Sequence, residues 1–445
     1  MKLSKATRLL LRKASRKAIT ESVSLLKPRL KKSRWIAIQN RYVRNTVKRL
    51  HLDSNPGGHL NHLHLAEYVS ASGPLHCTDC WALLGRAMDC HCRRDYESAR
   101  HFAYYAELRA TFSLLATEGI GIFAKEHFVI DAAKKCFLFR GPTHQIVWPV
   151  LEYWASLTRA ADLLGEAIQV SGVNLRQWLN HFQNGGNLHA VGSKWLRNWG
   201  LDLRFFLQDR ETRNEASYRP TLIRPGILDV TGSADFICAL WSLCEPSAHS
   251  PFENLDRHLL RIALEDSFKG ITGTTPKANR SLFRTRVESL VSQVILDVAT
   301  HDRWVRFLTR AIDPNDAVII SKAGQTDSND TPGQHLQMIS RSALLLRVAT
   351  AANSVLLKDG SISGDEIEFW WSALGEDRGL WEASNPPSDL KDLWADAETA
   401  VQAVRDWTNN TSNADKTFMR WRQDKSYEIS VLGGCERIAL WGLNL

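Results

Sequence analysis

FAYYAELRATFSLLATEGIGIFAKEHFVI, residues 102–130, is the stretch whose reading decides the fold. Phe102, Tyr105, Leu108, Phe112 and Leu115 recur at three- and four-residue spacing and make one apolar helical face. Gly119 and Gly121 end that helix, and Lys125, His127 and a short apolar run open a second element. The expectation is a buried helix that hands over to a loop, with the rest of the chain supplying helices to pack against it.

Upstream, residues 1–27 read as an amphipathic helix with Leu3, Ala6, Leu10, Ala14 and Leu25 near one face, interrupted at Pro28. A second helix is expected over 33–50, and a turn over 53–61. From Leu65 a helical pattern runs to a break at Ser72–Pro74 and resumes through Trp81–Met88. Downstream, 145–170 reads helical. Asn184–Asn187 reads as a turn, and a long helix is expected from Ser193 to Tyr218, limited by Pro220 and Pro225. Helical patterns continue over 235–243, 254–268, 280–308, 338–357, 364–374 and 390–407. Alternation of the strand kind is nearly absent; Val318–Ile320 and Ile429–Leu432 are too short to define a sheet. The expected class is all-α and multi-helical, in five segments: a basic helical arm (1–52), a His/Cys-containing helical connector (53–94), a helical core (95–321), a linker or loop (322–334) and a C-terminal helical domain (335–445).

At 445 residues, 44% hydrophobic and 23% charged, the composition is that of a globular protein with a sizeable core. No apolar run approaches the roughly 20 residues a membrane span needs. No leader pattern precedes the first helix, so a cytoplasmic chain with eight thiols is expected. The net charge of +8 conceals an asymmetry: residues 1–50 hold 16 Lys/Arg against the single acid Glu21, and the remainder is net acidic. Lys13, Arg16, Lys17, Lys31, Lys32, Arg34, Arg41, Arg44, Lys48 and Arg49 are the candidate contacts to nucleic acid or to an acidic partner. A merely solvated face is the competing reading.

Two patterns carry a resemblance. The first is YYAELRATFSLLATEGIGIF followed by KEHFVID, with Tyr104, Tyr105, Leu114, Leu115, Gly119, Lys125 and His127 as its marks. The second is Arg213-Asn214-Glu215-Ala216-Ser217-Tyr218. Together they resemble the HEPN superfamily, helical domains of toxins, antiphage defence proteins and RNA-processing factors. The resemblance spans residues 95–300 and implies a helical RNA-binding or RNA-cutting core in a bacterial defence or stress system. It implies RNA in preference to DNA, a homodimer or protein partner, no cofactor, and cleavage without a metal by an Arg and a nearby His. Here Tyr218 stands where that His would fall. A phenol with a reference pKa of about 10 is a poor base at neutral pH. Arg213 would contact phosphate, with Asn214 and Tyr218 beside it and His127 as a substitute base. The bland alternative pairs Arg213 with Glu211 or Asp209 at a helix end. Helical geometry puts Arg213 over Ser217 rather than over Tyr218.

Cys77, Cys80, Cys90 and Cys92 are a weaker candidate, for zinc, with buried thiols as the competing reading. No phosphate-cradling glycine loop, Rossmann fingerprint, HExxH or serine elbow occurs. The alternative function is a non-catalytic scaffold or nucleic-acid-binding subunit that docks through the basic arm.

Overall fold

The computed structural model describes residues 2–183, 192–218, 229–325, 333–382 and 385–443. Three long helices form its spine: α5 among the five that begin the chain, then α6, and α17 much later. The arm holds α1 (Lys5–Arg12), α2 (Arg16–Ser24), α3 (Lys27–Leu30) and α4 (Thr46–Asp53), ahead of α5 (His62–Cys92) and α6 (Tyr96–Thr117). After α6 comes a small antiparallel sheet, β1 (Ile120–Gly121), β2 (Glu126–Ile130) and β3 (Cys136–Arg140), in that order. Next are α7 (Thr143–Ala155), α8 (Thr158–Ala167), a two-strand pair β4 (Gln169–Val170) and β5 (Val173–Asn174), α9 (Leu175–Phe182), α10 (Gly192–Asn198) and α11 (Phe205–Tyr218). The chain continues through α12 (Val230–Leu243), α13 (Glu253–Thr272), α14 (Arg280–Val294), α15 (His301–Leu308), α16 (Val318–Ala323) and α17 (Gln334–Asp359). It closes with α18 (Glu368–Asp377), α19 (Leu393–Asn410), α20 (Phe418–Asp424), α21 (Ser426–Gly433) and α22 (Glu436–Leu443). The fold is thus multi-helical, and no helix among the described residues is long and apolar enough to cross a membrane.

α6 starts where Asp95 accepts the Ser98 N–H and stops before Gly119, whose φ of +82° suits a residue without a side chain. Its burial is wider than the apolar stripe implies: Ala99, Ala103, Tyr104, Ala106, Ala110, Leu114 and Leu115 are all buried. Phe102, Tyr105 and Phe112 lie at the half-buried edge. α6 lies between α5 and α17, which is why it is covered on most sides. The small residues let the three backbones approach. The Ser113 hydroxyl donates to the Gly73 carbonyl at 2.8 Å, and the Asn353 amide donates to Ser113 at 2.7 Å. A Cβ at Gly73 would meet the Asn353 side chain at 2.6 Å.

That junction explains the first correction. The expected break at Ser72–Pro74 is absent, and α5 runs through Pro74 for 31 residues. Proline costs about 3 kcal/mol inside a helix. Packing on two neighbouring helices offsets it, since each fully buried Leu-sized side chain contributes about 1.5–3 kcal/mol. α17 is buried along almost all of Gln334–Asn353, and the main core contains residues from Leu3 to Leu443.

Other boundaries moved for local reasons. The helix expected over 1–27 is two helices, because Ser15 leaves the helix to cap α2 and to donate its N–H to the Ile130 carbonyl at 2.9 Å. The helix expected over 33–50 is helical only from Thr46. Asn40 instead bonds the Tyr42 N–H, the His64 carbonyl and Glu67, and such side-chain bonds compete with a helix. The helix expected over 193–218 breaks at Gly200, which has φ +91°. The pattern over 280–308 divides at Ile295–Asp297, and 145–170 divides at Ser156–Leu157. Val318–Ile320 lies in α16 and Ile429–Leu432 in α21. The sheet lies elsewhere, and β2 is buried at all five positions, so it has no alternation to read. Asn184–Asn187, Pro220, Pro225 and residues 326–332 of the linker lie outside the described residues. Within the rest of 322–334, α16 ends at Ala323 and α17 begins at Gln334.

Candidate functional site

Arg213 on α11 faces α6. Its guanidinium carbon sits 4.9 Å from the Tyr104 ring centre and 5.4 Å from that of Tyr105. Two aromatic faces attract the cation electrostatically. Arg213 is only 7% exposed, and its Nε has no hydrogen-bond partner among the described residues. The bland pairing is not what forms: Asp209 is held by Arg341 at 2.6 Å, and Glu211 lies 3.4 Å from Arg210.

Two histidines flank this arginine. His144, near the start of α7, shares a 2.9 Å hydrogen bond between its Nδ1 and the Tyr104 hydroxyl. Its ring stacks on Tyr104 at 5.8 Å. His101, on the first turns of α6, shares a 3.0 Å bond between Nδ1 and the Ser217 hydroxyl and sits 4.9 Å from the Tyr105 ring. No hydrogen bond occupies Nε2 of either ring among the described residues. Burial lowers the pKa of both, and the Arg213 charge lowers it further, with Arg210 adding to the effect at His144. Both rings are therefore neutral near pH 7. Burial raises the Tyr104 phenol, with Arg213 opposing, so that hydroxyl stays protonated.

Beneath the site, Glu107 is fully buried beside Asp209. Burial, the neighbouring Asp209 charge and a hydrogen bond to Asp209 push its pKa well up, against the pull of Arg341.

The structure separates the other sequence candidates from this cluster. Tyr218 is 82% exposed at the end of α11. Asn214 is half-buried next to Arg213. His127 is fully buried in β2 with both nitrogens engaged: Nδ1 accepts the Phe123 N–H at 3.1 Å, and Nε2 donates to the Gly141 carbonyl at 2.8 Å. Its roles are within the sheet, and neither bond reaches α11. None of these contacts joins His127 or Tyr218 to Arg213. Sequence reasoning missed His144 because 69 residues separate it from Arg213. No spacing rule links them, and the adjacent Pro142-Thr143 marks only a helix start.

The arm's cations divide in two. Lys13, Lys17, Lys31, Lys32, Arg34, Arg44, Lys48 and Arg49 are exposed. Arg16 instead lies 3.5 Å from both Glu118 and Asp359, and Arg41 grips Asp53 through two 2.6 Å bonds. Glu118 and Tyr104 are 14 residues apart along α6, so Arg16 meets α6 about 20 Å from the Arg213 cluster.

Cys77 and Cys90 lie 13 residues apart on one continuous helix, again about 20 Å, too far to share a tetrahedral metal. Cys80 donates to the Cys77 carbonyl at 2.9 Å, and burial raises the Cys90 thiol to about 11. Cys92 is buried as well. The zinc alternative is corrected to helix-packing thiols.

No protein-family model, curated protein or solved structure matches this chain.

Proposed function

We propose that the Arg213 cluster binds a phosphodiester of RNA and cleaves it, with the neutral imidazoles of His101 and His144 moving the protons. The observation that carries this reading is the position of Arg213, buried on a tyrosine pair between two half-buried histidines. Arg213 holds a non-bridging phosphate oxygen and stabilises the charge that builds there. One imidazole takes the 2′-hydroxyl proton as that oxygen attacks phosphorus. The bond to the 5′-oxygen breaks, and the imidazolium returns its proton through water to the departing oxygen. Imidazolium beside a guanidinium is a stronger acid than free imidazolium, which favours the return. The requirement for a 2′-hydroxyl makes the substrate RNA rather than DNA. The exposed arm cations hold the strand at other phosphates. The HEPN-like identity of the core and a setting in bacterial defence or stress rest on the sequence resemblance.

The test is cleavage of single-stranded RNA by the full chain in the presence of a chelator. Cleavage is expected, with a loss of about 10²-fold in Arg213→Ala. A comparable loss is expected in His144→Gln. RNA that is bound but never cut would favour the non-catalytic reading, in which the arm docks nucleic acid. The exposed cations of residues 31–49 are the observation for that second reading.

A further inference from the structure

A second site lies elsewhere on the molecule, between α5, α19 and the α21–α22 turn. A cavity of ≈ 500 Å³ opens there, lined by charged side chains from all of these elements and from Arg378–Leu380. Its volume is within the ordinary range for small-ligand sites, about 300–1,000 Å³.

Arg437 is the decisive residue. It is 7% exposed and lines the cavity, yet its Nε has no hydrogen-bond partner among the described residues. Its one hydrogen bond, from Nη1 to the Val431 carbonyl, is 3.3 Å long. Burial lowers its pKa, and the charges of Asp396 and Glu436 oppose that. Glu436 is itself drawn toward Arg378 at 3.9 Å. The backbone is shaped around this guanidinium: a Cβ at Gly434 would fall 2.3 Å from its Nη1. A buried guanidinium with an uncommitted donor is costly unless something accepts from it.

The remaining lining defines the ligand. Four arginines face three carboxylates, an excess of one positive charge. Arg93 is already bonded to Asp89 at 3.0 Å, which leaves Arg86 and Arg437 to meet an anion. The carboxylate of Asp396 suits hydroxyl or amino donors and opposes a second anionic group. At the rim, Tyr427 is 73% exposed, and a phenol ring so placed has an open face for a planar ring.

We infer that this cavity binds a nucleoside monophosphate, with the phosphate on Arg437, hydroxyl or amino groups on Asp396, and the base on Tyr427.

Calorimetric titration of the full chain with AMP, GMP, CMP and UMP tests this, with inorganic phosphate and adenosine as separate arms. At least one monophosphate is expected to bind more tightly than either control. Tyr427→Ala, an exposed substitution that leaves the fold intact, is expected to weaken binding about tenfold, and Arg437→Lys at least as much. Arg213→Ala is expected to leave it unchanged, which separates this site from the proposed RNA site. No binding of any monophosphate at millimolar concentration overturns the inference. So does binding that survives Tyr427→Ala and Arg437→Lys but is lost in Arg213→Ala. Inorganic phosphate binding as tightly as the best monophosphate overturns the nucleoside assignment.

Discussion

α11 carries two buried charges one turn apart, and they are treated in opposite ways. Asp209 is 1% exposed and takes two hydrogen bonds, at 2.6 and 2.7 Å, from Arg341 of α17. Arg213, 7% exposed, lies on the rings of Tyr104 and Tyr105, and no carboxylate is within ion-pair distance of it among the described residues. Farther along α17, Arg347 repeats the first arrangement with Asp256, at 2.5 and 2.8 Å. A buried arginine with a bidentate carboxylate has spent its charge on joining helices: α17 to α11 in one case, α17 to α13 in the other. Aromatic contact does not separate the two classes, since Arg347 also lies 4.5 Å from the Phe252 ring; what sets Arg213 apart is that no carboxylate among the described residues pairs with it. Burial and residue type are the same in both. The partner decides the role.

Breaking a paired arginine gives the largest expected effect. Asp256→Asn leaves the Arg347 charge buried and uncompensated, and is expected to cost about 3–5 kcal/mol in denaturant-induced unfolding.

Buried bases that avoid charge altogether sharpen the contrast. His91 and His335 share a 3.0 Å bond between α5 and α17, with Tyr96 and Phe236 packed on them. Arg100 and Lys322 are the nearby cations acting on His335. Burial lowers the His91 pKa to about 4 from its ordinary 6.5. The unfolded chain therefore binds more protons between these values, and stability falls as pH drops through that window. The loss attributable to His91 is on the order of 3 kcal/mol once pH is below both values. His91→Phe is expected to flatten the pH dependence of unfolding; an unchanged slope would mean that the pair does not stay neutral in the fold.

Arg213→Ala comes next in stability. Loss of the cation–ring contacts is expected to cost about 0.5–2 kcal/mol, read from thermal or denaturant unfolding. A loss as large as that of Asp256→Asn would erase the distinction between carboxylate-paired and unpaired buried arginines.

Lys48→Ala with Arg49→Ala is the smallest. These exposed cations contribute within about 0.5 kcal/mol of stability. The salt dependence of RNA binding should flatten by roughly one unit of slope for each phosphate contact removed. Affinity that keeps its full salt slope would remove the arm from the RNA surface.

Much of the helical architecture is legible along the chain. The apolar spacing from Phe102 and the Gly119 stop outline most of α6 without reference to any other segment, while its first turns from Tyr96 to His101 do not read as helix. Residues 338–357 read as a helix and form most of α17. Pro74 misleads, because a local rule disfavours it and only contact with α6 and α17 overrides that rule. β2 misleads for the converse reason, since complete burial leaves no alternation. Arg213 is legible as a polar residue one turn before Ser217, but its tyrosine bed is not, since Tyr104 precedes it by 109 residues.

The sequence by itself determined the helical class and the basic arm, because periodicity and charge act over a few residues. Tertiary structure alone decided which charges are neutralised and which remain available. It paired Asp209 with Arg341, placed His101 and His144 around Arg213, and enclosed His127 in a sheet. Those outcomes depend on distances across helices, where a few ångströms separate a bidentate ion pair from an uncommitted guanidinium, and no local pattern encodes that spacing.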